Sequence, residues 1–192
     1  MLLARVGPTD SLSITPLRSL FERDDAWAAT GDLFRRDADG DYWRMDGVGD
    51  VIRTAEGPVF STPIRDALGD LPAVDLAAAY GVAPEAGGRE IAVAAVTVRR
   101  GRSLTPTELG HALSEVPREG WPAIVHVVDR IPTTTWFRPV THALRDAGIP
   151  EPGEGLQAWY LDASGDTYRP LTAAARGRLM PAGAQGPRRR GG

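Results

Sequence analysis

Thr30-Gly31-Asp32-Leu33-Phe34-Arg35-Arg36-Asp37-Ala38-Asp39-Gly40-Asp41-Tyr42-Trp43 is the stretch from which the architecture of this chain can be read. Residues 33–36 and 42–45 flank Asp37-Ala38-Asp39-Gly40, where aspartates can bond nearby backbone amides and a glycine accepts positive φ. The pattern predicts a β-hairpin. Upstream, residues 2–6 read as a short strand and 17–21 as a short amphipathic segment, a part with little core of its own.

Downstream of Asp46-Gly47 the pattern changes to mixed α and β. A strand is predicted over 51–53, then a helix opened by Ser61-Thr62-Pro63, with Thr62 as cap, Pro63 in the first turn and Ile64, Ala67 and Leu68 as its apolar face. Strands follow over 74–80, 91–98 and 123–128, with a second helix over 105–115 started by Thr105-Pro106-Thr107-Glu108 and a third over 139–147. Residues 159–161 and 167–168 bracket a second hairpin, and 172–179 read as a closing helix. The alternation predicts an α+β domain with helices packed on a sheet of about three strands. Beyond Pro181 the composition is Pro, Gly, Ala and Arg, too poor in apolar side chains to offset ordering entropy, so a disordered tail over 181–192 is expected.

The 192 residues are 42% hydrophobic, enough for a core, and carry a net charge of −3. That charge offers no general attraction to nucleic acid, and the Arg188-Arg189-Arg190 cluster lies in the Pro/Gly-rich tail. The absence of cysteine excludes a disulfide framework and thiolate chemistry and fits a cytoplasmic protein. No run approaches the ~20 apolar residues of a spanning helix, so no transmembrane segment is expected. His111 and His126 stand alone, His142 and Asp146 share a helix face at i, i+4 spacing, and no Gly-x-Ser-x-Gly elbow occurs, so no metal site or serine nucleophile is predicted. Every one of the 22 basic residues is arginine.

On physical grounds two carboxylates stand out, Asp32 at a Gly-Asp turn and Asp46 where the composition changes. Either could bind a hydroxyl pair or act as a pivot, but an aspartate beside glycine in a turn is usually structural, its side chain bonding nearby amides. Asp25-Ala26-Trp27, Thr30-Gly31-Asp32-Leu33 and Arg35-Arg36-Asp37 resemble the run into and past the ribose-binding aspartate of very-long-chain acyl-CoA synthetases of the fatty-acid-transport-protein type. Those enzymes fall within the adenylate-forming superfamily. The resemblance covers residues 2–179 and implies that 1–46 is the hairpin-bearing end of the large adenylation domain and 47–180 the small C-terminal lid.

By that resemblance Thr30, Gly31 and Asp32 grip the nucleotide, the carboxylate accepting from the ribose hydroxyls. Asp46 and Gly47 are the hinge about which the lid turns, with Gly47 where the family has arginine. Gly49, Asp50, Arg53 and Gly57 belong to the loop that approaches CoA, with Ala55-Glu56-Gly57-Pro58 replacing a Lys-Gly-Glu-Asn run. Pro132-Thr133-Thr134-Thr135-Trp136-Phe137-Arg138 is similar to the loop that ends in the family's catalytic lysine, so Arg138 stands in its place. The phosphate loop, the magnesium-binding motif and an acyl pocket are absent from these residues. The expectation is therefore a truncated, free-standing C-terminal region of a fatty acyl-CoA synthetase, inactive alone, with ATP, Mg and CoA used only beside a complementary core. Two alternatives stay open: a lid subunit acting in trans on a separately encoded adenylation domain, and a noncatalytic regulatory binder of acyl-CoA or nucleotide.

Overall fold

The computed structural model describes residues 1–7, 15–84, 88–135, 137–162 and 167–179. The expected disordered tail and the tip of the second hairpin lie outside those residues. The chain divides into two compact units, Met1–Asp50 and one beginning at Val51.

In the first unit β1 (Leu3–Arg5) and β2 (Leu17–Arg18) both pair antiparallel with β3 (Ala26–Ala29), which forms the middle of a three-stranded sheet. The predicted hairpin is β4 (Asp32–Arg36) paired with β5 (Tyr42–Gly47). Its turn works as its chemistry demands. Asp37 Oδ1 accepts from the amides of Asp39 and Asp41, its Oδ2 accepts from Trp43 Nε1 at 2.6 Å, and Gly40 takes φ +96°. The Trp43 bond, followed by that from Asp41, holds the Asp37 carboxyl below its ordinary range.

The second unit opens with β6 (Ile52–Arg53) and β7 (Pro58–Val59), then α1 (Ser61–Gly69). Thr62 is not the cap. The cap lies two residues earlier, at extended Phe60 with no side-chain cap bond, which places Pro63 in the first turn where its missing N–H has no partner to lose. β8 (Val74–Val82) and β9 (Ile91–Val98) follow, and α2 (Pro106–Ala112) is opened by the Thr105–Glu108 capping box and runs into a 3₁₀ turn at Leu113–Glu115. After a second 3₁₀ turn, Arg118–Gly120, come β10 (Ile124–Val127), α3 (His142–Ala147), β11 (Ala158–Leu161), β12 (Tyr168–Pro170) and α4 (Ala173–Leu179). Helix α3 is shorter than the predicted 139–147. Pro139 is drawn into an antiparallel bridge with Thr133, and the Val140 amide donates to the Pro132 carbonyl.

The α+β class holds, with one sheet of five strands in the order β12-β11-β10-β9-β8. The expected second hairpin does not stand apart: β11 pairs antiparallel with β10 and extends the three predicted strands. Among the described residues only β9 and β10 pair in parallel. Both faces are covered, which is why β8 and β9 read as continuous apolar runs. On one face Ile64 and Leu68 of α1 and Leu109 and Leu113 pack over Ala77, Ala94 and Val125. On the other, Ile131, Ile149, Leu171 and Ala175 cover Ala78, Tyr80, Val93 and Ile124. Leu109 and Leu113 have no exposed surface, and burial of each stabilises the unit by roughly 1.5–3 kcal/mol.

Candidate functional site

Seven of the sequence-selected residues, Thr30, Gly31, Asp32, Asp46, Gly47, Gly49 and Asp50, lie in the Met1–Asp50 unit. Gly31 takes φ +77°, and its carbonyl accepts from the Val48 amide at 2.7 Å. The Thr30 hydroxyl donates to the Leu2 carbonyl and accepts from the Asp32 amide, so the three-residue turn is tied to the chain just before β1. The β4–β5 register then sets Asp32 opposite Gly47 and Leu33 opposite Asp46, with a bulge between Leu33 and Phe34.

Asp32 is partly buried and ion-paired. Both Nε and Nη2 of Arg44 reach its Oδ1 at 2.8 Å. Among the described residues nothing engages Oδ2, so the arginine orients the carboxylate through one oxygen and leaves the other as an acceptor. Such an oxygen suits a hydroxyl donor.

Asp46 is 1% exposed, and its Oδ1 accepts from the Gly47 amide at 3.0 Å. Gly47 is packed closely. A Cβ there would come within 2.7 Å of Asp50 Oδ2, and the Asp50 amide donates to the Gly47 carbonyl. Gly47, Asp50 and the Asp32–Arg44 pair therefore share one patch, while Asp46 sits buried beside them. Gly49 lies in the exposed turn between Gly47 and Asp50.

Sequence reasoning passed over Asp25. Its carboxylate accepts from the amides of Leu20, Phe21 and Glu22 and from Trp27 Nε1 at 2.7 Å, and Phe21 meets the Trp27 ring edge-on. Burial works against the charge, but the four bonds outweigh it and leave the carboxyl below its ordinary range. The signal was an aspartate two residues before a tryptophan, unreadable without the turn that brings the amides round. Asp25→Ala removes the acceptor for all four donors. Amide exchange at Leu20, Phe21 and Glu22 is expected to rise by about tenfold or more, with little change in the Val51 unit.

The remaining candidates lie in the second unit. Arg53 is exposed in β6, and its amide and carbonyl are engaged by Glu90, whose Oε2 accepts at 2.7 Å. Gly57 takes φ +139°, and its carbonyl accepts from both the amide and the hydroxyl of Thr54, closing a tight turn with Glu56 exposed on it. The displaced glycine thus falls where this backbone requires one. Arg138 sits exposed on a different loop. Its amide donates to Thr134 Oγ1 and its carbonyl accepts from the Thr134 amide, while neighbouring Phe137 takes φ +57° and is 83% exposed. Trp136 lies outside the described residues. His142 and Asp146 are exposed on α3, and His126 is buried against Tyr80, with Nε2 and the hydroxyl 2.8 Å apart. Among the described residues no group of three metal-ligating side chains occurs, and no helix is long and apolar enough to cross a membrane.

No protein-family profile matches the chain. It is 35% identical over 130 residues to the medium/long-chain-fatty-acid–CoA ligase FadD8 of Mycobacterium tuberculosis, covering 63% of this chain and 22% of the ligase. It is 24% identical over 165 residues to long-chain fatty acid transport protein 6 of Mus musculus, covering 85% of this chain and 27% of that protein. Among solved structures, the amide bond synthetase McbA of Marinactinospora thermotolerans superposes with a TM-score of 0.54 and 30% identity, over 63% of this chain and 25% of McbA. These likenesses are to fatty-acid–CoA ligases, fatty acid transport proteins and adenylate-forming enzymes, and they fit a C-terminal fragment of such a protein. The chain spans about a quarter of the length of those relatives. Thr30 to Asp32 and Asp46-Gly47 lie in the first unit, and the Thr54–Gly57 turn and Arg138 in the second.

Proposed function

We propose that these residues are the ribose-gripping edge and lid of a fatty acyl-CoA synthetase, and that they make no acyl-adenylate without an adenylation core. The reaction served is ligation of a fatty acid to CoA through an acyl-adenylate, with ATP, magnesium and CoA engaged only when the core is present. Asp32 accepts from the ribose hydroxyls through Oδ2 while Arg44 holds Oδ1. Asp46 and Gly47 carry the hinge, and Arg138 supplies a cation to the carboxylate and phosphate oxygens as the anhydride forms. Its fork grips phosphate but does not reproduce a compact ammonium, so adenylation is slower than with lysine.

One observation carries the need for a core. Of the large apolar side chains exposed on the described residues, Phe137 belongs to the second unit, whereas Met1, Leu2, Leu17, Leu20, Phe21, Tyr42, Trp43 and Val48 all belong to the fifty-residue first unit. A surface so apolar on so small a unit calls for a covering partner. Relatives about three times as long supply one by resemblance: the remainder of the adenylation domain. The tagged chain, incubated with a fatty-acid–CoA ligase core lacking its own C-terminal region, is expected to co-elute with it. Phe21→Asp with Leu17→Asp is expected to abolish that association. Failure to associate, or association indifferent to both substitutions, would overturn the reading.

A further inference from the structure

We propose that residues 98–102, with residues 127–129 and 155–157 beside them, form a binding site for a soluble organic phosphate of nucleotide size. The parallel strands β9 and β10 end side by side at Val98 and Val127, and a groove of about 700 Å³ opens beyond them. Its volume is that of a small-molecule site, and the carboxyl ends of adjacent parallel strands are where open sheets present ligands. The turn Arg99-Arg100-Gly101-Arg102 forms one wall, with Gly101 at φ +75°. Three arginines thus line the groove beside one acidic residue, Asp129, on a chain whose net charge is −3.

Arg99 is paired with Asp75 at 3.3 Å, but the guanidiniums of Arg100 and Arg102 make no hydrogen bond or ion pair with other described residues. Arginine forks match phosphate oxygens bidentately and lose little on leaving water. Val98, Val127 and Leu156 add apolar surface to the polar lining, which suits a phosphate attached to an organic body better than a bare ion. Asp129, an acceptor in the same lining, selects a ligand with hydroxyl donors and repels a second anion.

The inference does not rest on the ligase reading, because the groove lies wholly in the second unit and needs no core. The test titrates ADP into the full chain at low salt by calorimetry, with amide shifts followed by NMR. Wild type is expected to bind with shifts concentrated at Gly101, Asp129 and Gly155. Arg100→Glu and Arg102→Glu are each expected to weaken binding by about tenfold. Arg65→Glu on α1, the same change in net charge, is expected to bind as wild type. No ADP binding, equal weakening by Arg65→Glu, amide shifts confined to the Met1–Asp50 unit, or binding only to phosphatidylglycerol vesicles would each overturn the assignment.

Discussion

Between pH 6.5 and about 4 the unit that begins at Val51 is expected to lose roughly 3 kcal/mol of stability through one side chain, His126. The imidazole lies on β10, flanked by Ala95 and Ala158 on the adjacent strands, and is 6% exposed. Burial pushes its pKa down to about 4. An unfolded chain takes up this proton near pH 6.5, whereas the folded chain refuses it until about pH 4, so the unfolded state gains on acidification throughout that window. The contribution is complete above pH 6.5 and gone below 4. The same burial drives the Tyr80 phenol well above its ordinary range, so the pair stays neutral across the working range.

His126→Phe removes the titration and leaves the Tyr80 hydroxyl without its partner, a cost of about 1–3 kcal/mol that does not vary with pH. Urea melts of both proteins at pH 7.5 and 4.5 separate these effects. Wild type is expected to lose more stability than the variant on going to the lower pH, the carboxylates acting equally on both. Parallel losses would show that His126 is not held neutral by the fold.

The largest catalytic effect is expected at Asp32. With a complementary core present, Asp32→Ala should lower kcat/KM for ATP by about a hundredfold, the scale of losing hydrogen bonds between an anionic acceptor and the two ribose hydroxyls. Stability should change by less than about 1 kcal/mol, because the Arg44 pair is a quarter to a third exposed on each side. Arg44→Ala discriminates between orientation and contact. It leaves the carboxylate in place but frees Oδ1, so only a few-fold loss is expected. If Arg44→Ala and Asp32→Ala were equally damaging with a matching fall in melting temperature, Asp32 would be a structural residue.

The β4–β5 hairpin was legible because its information is local: Asp37 and Gly40 specify the turn, and the flanking strands carry their own pattern. The Thr105 helix start was legible for the same reason, its capping box being closed within four residues. The three-stranded sheet of the first unit was not, because β3 is four residues of Ala and Trp whose partners lie more than twenty residues upstream and eight upstream. Nor could local pattern show that β11 would register on β10 and make the sheet five strands wide. Asp32 and Gly47 are fifteen positions apart in sequence, yet hairpin register makes them direct neighbours. The run Arg99-Arg100-Gly101-Arg102 was visible as letters, but its meaning depends on a groove formed by two parallel strand ends and on Gly155 and Leu156 from a distant loop.

The most direct measurement is acyl-CoA formation from a fatty acid, ATP, magnesium and CoA by three samples: this chain, a fatty-acid–CoA ligase core lacking its C-terminal region, and the two mixed. The account predicts no product from the chain alone, a trace from the core, and turnover in the mixture that falls when Asp32→Ala is used. Product from the chain alone, or a mixture no faster than the core and indifferent to Asp32, would contradict it.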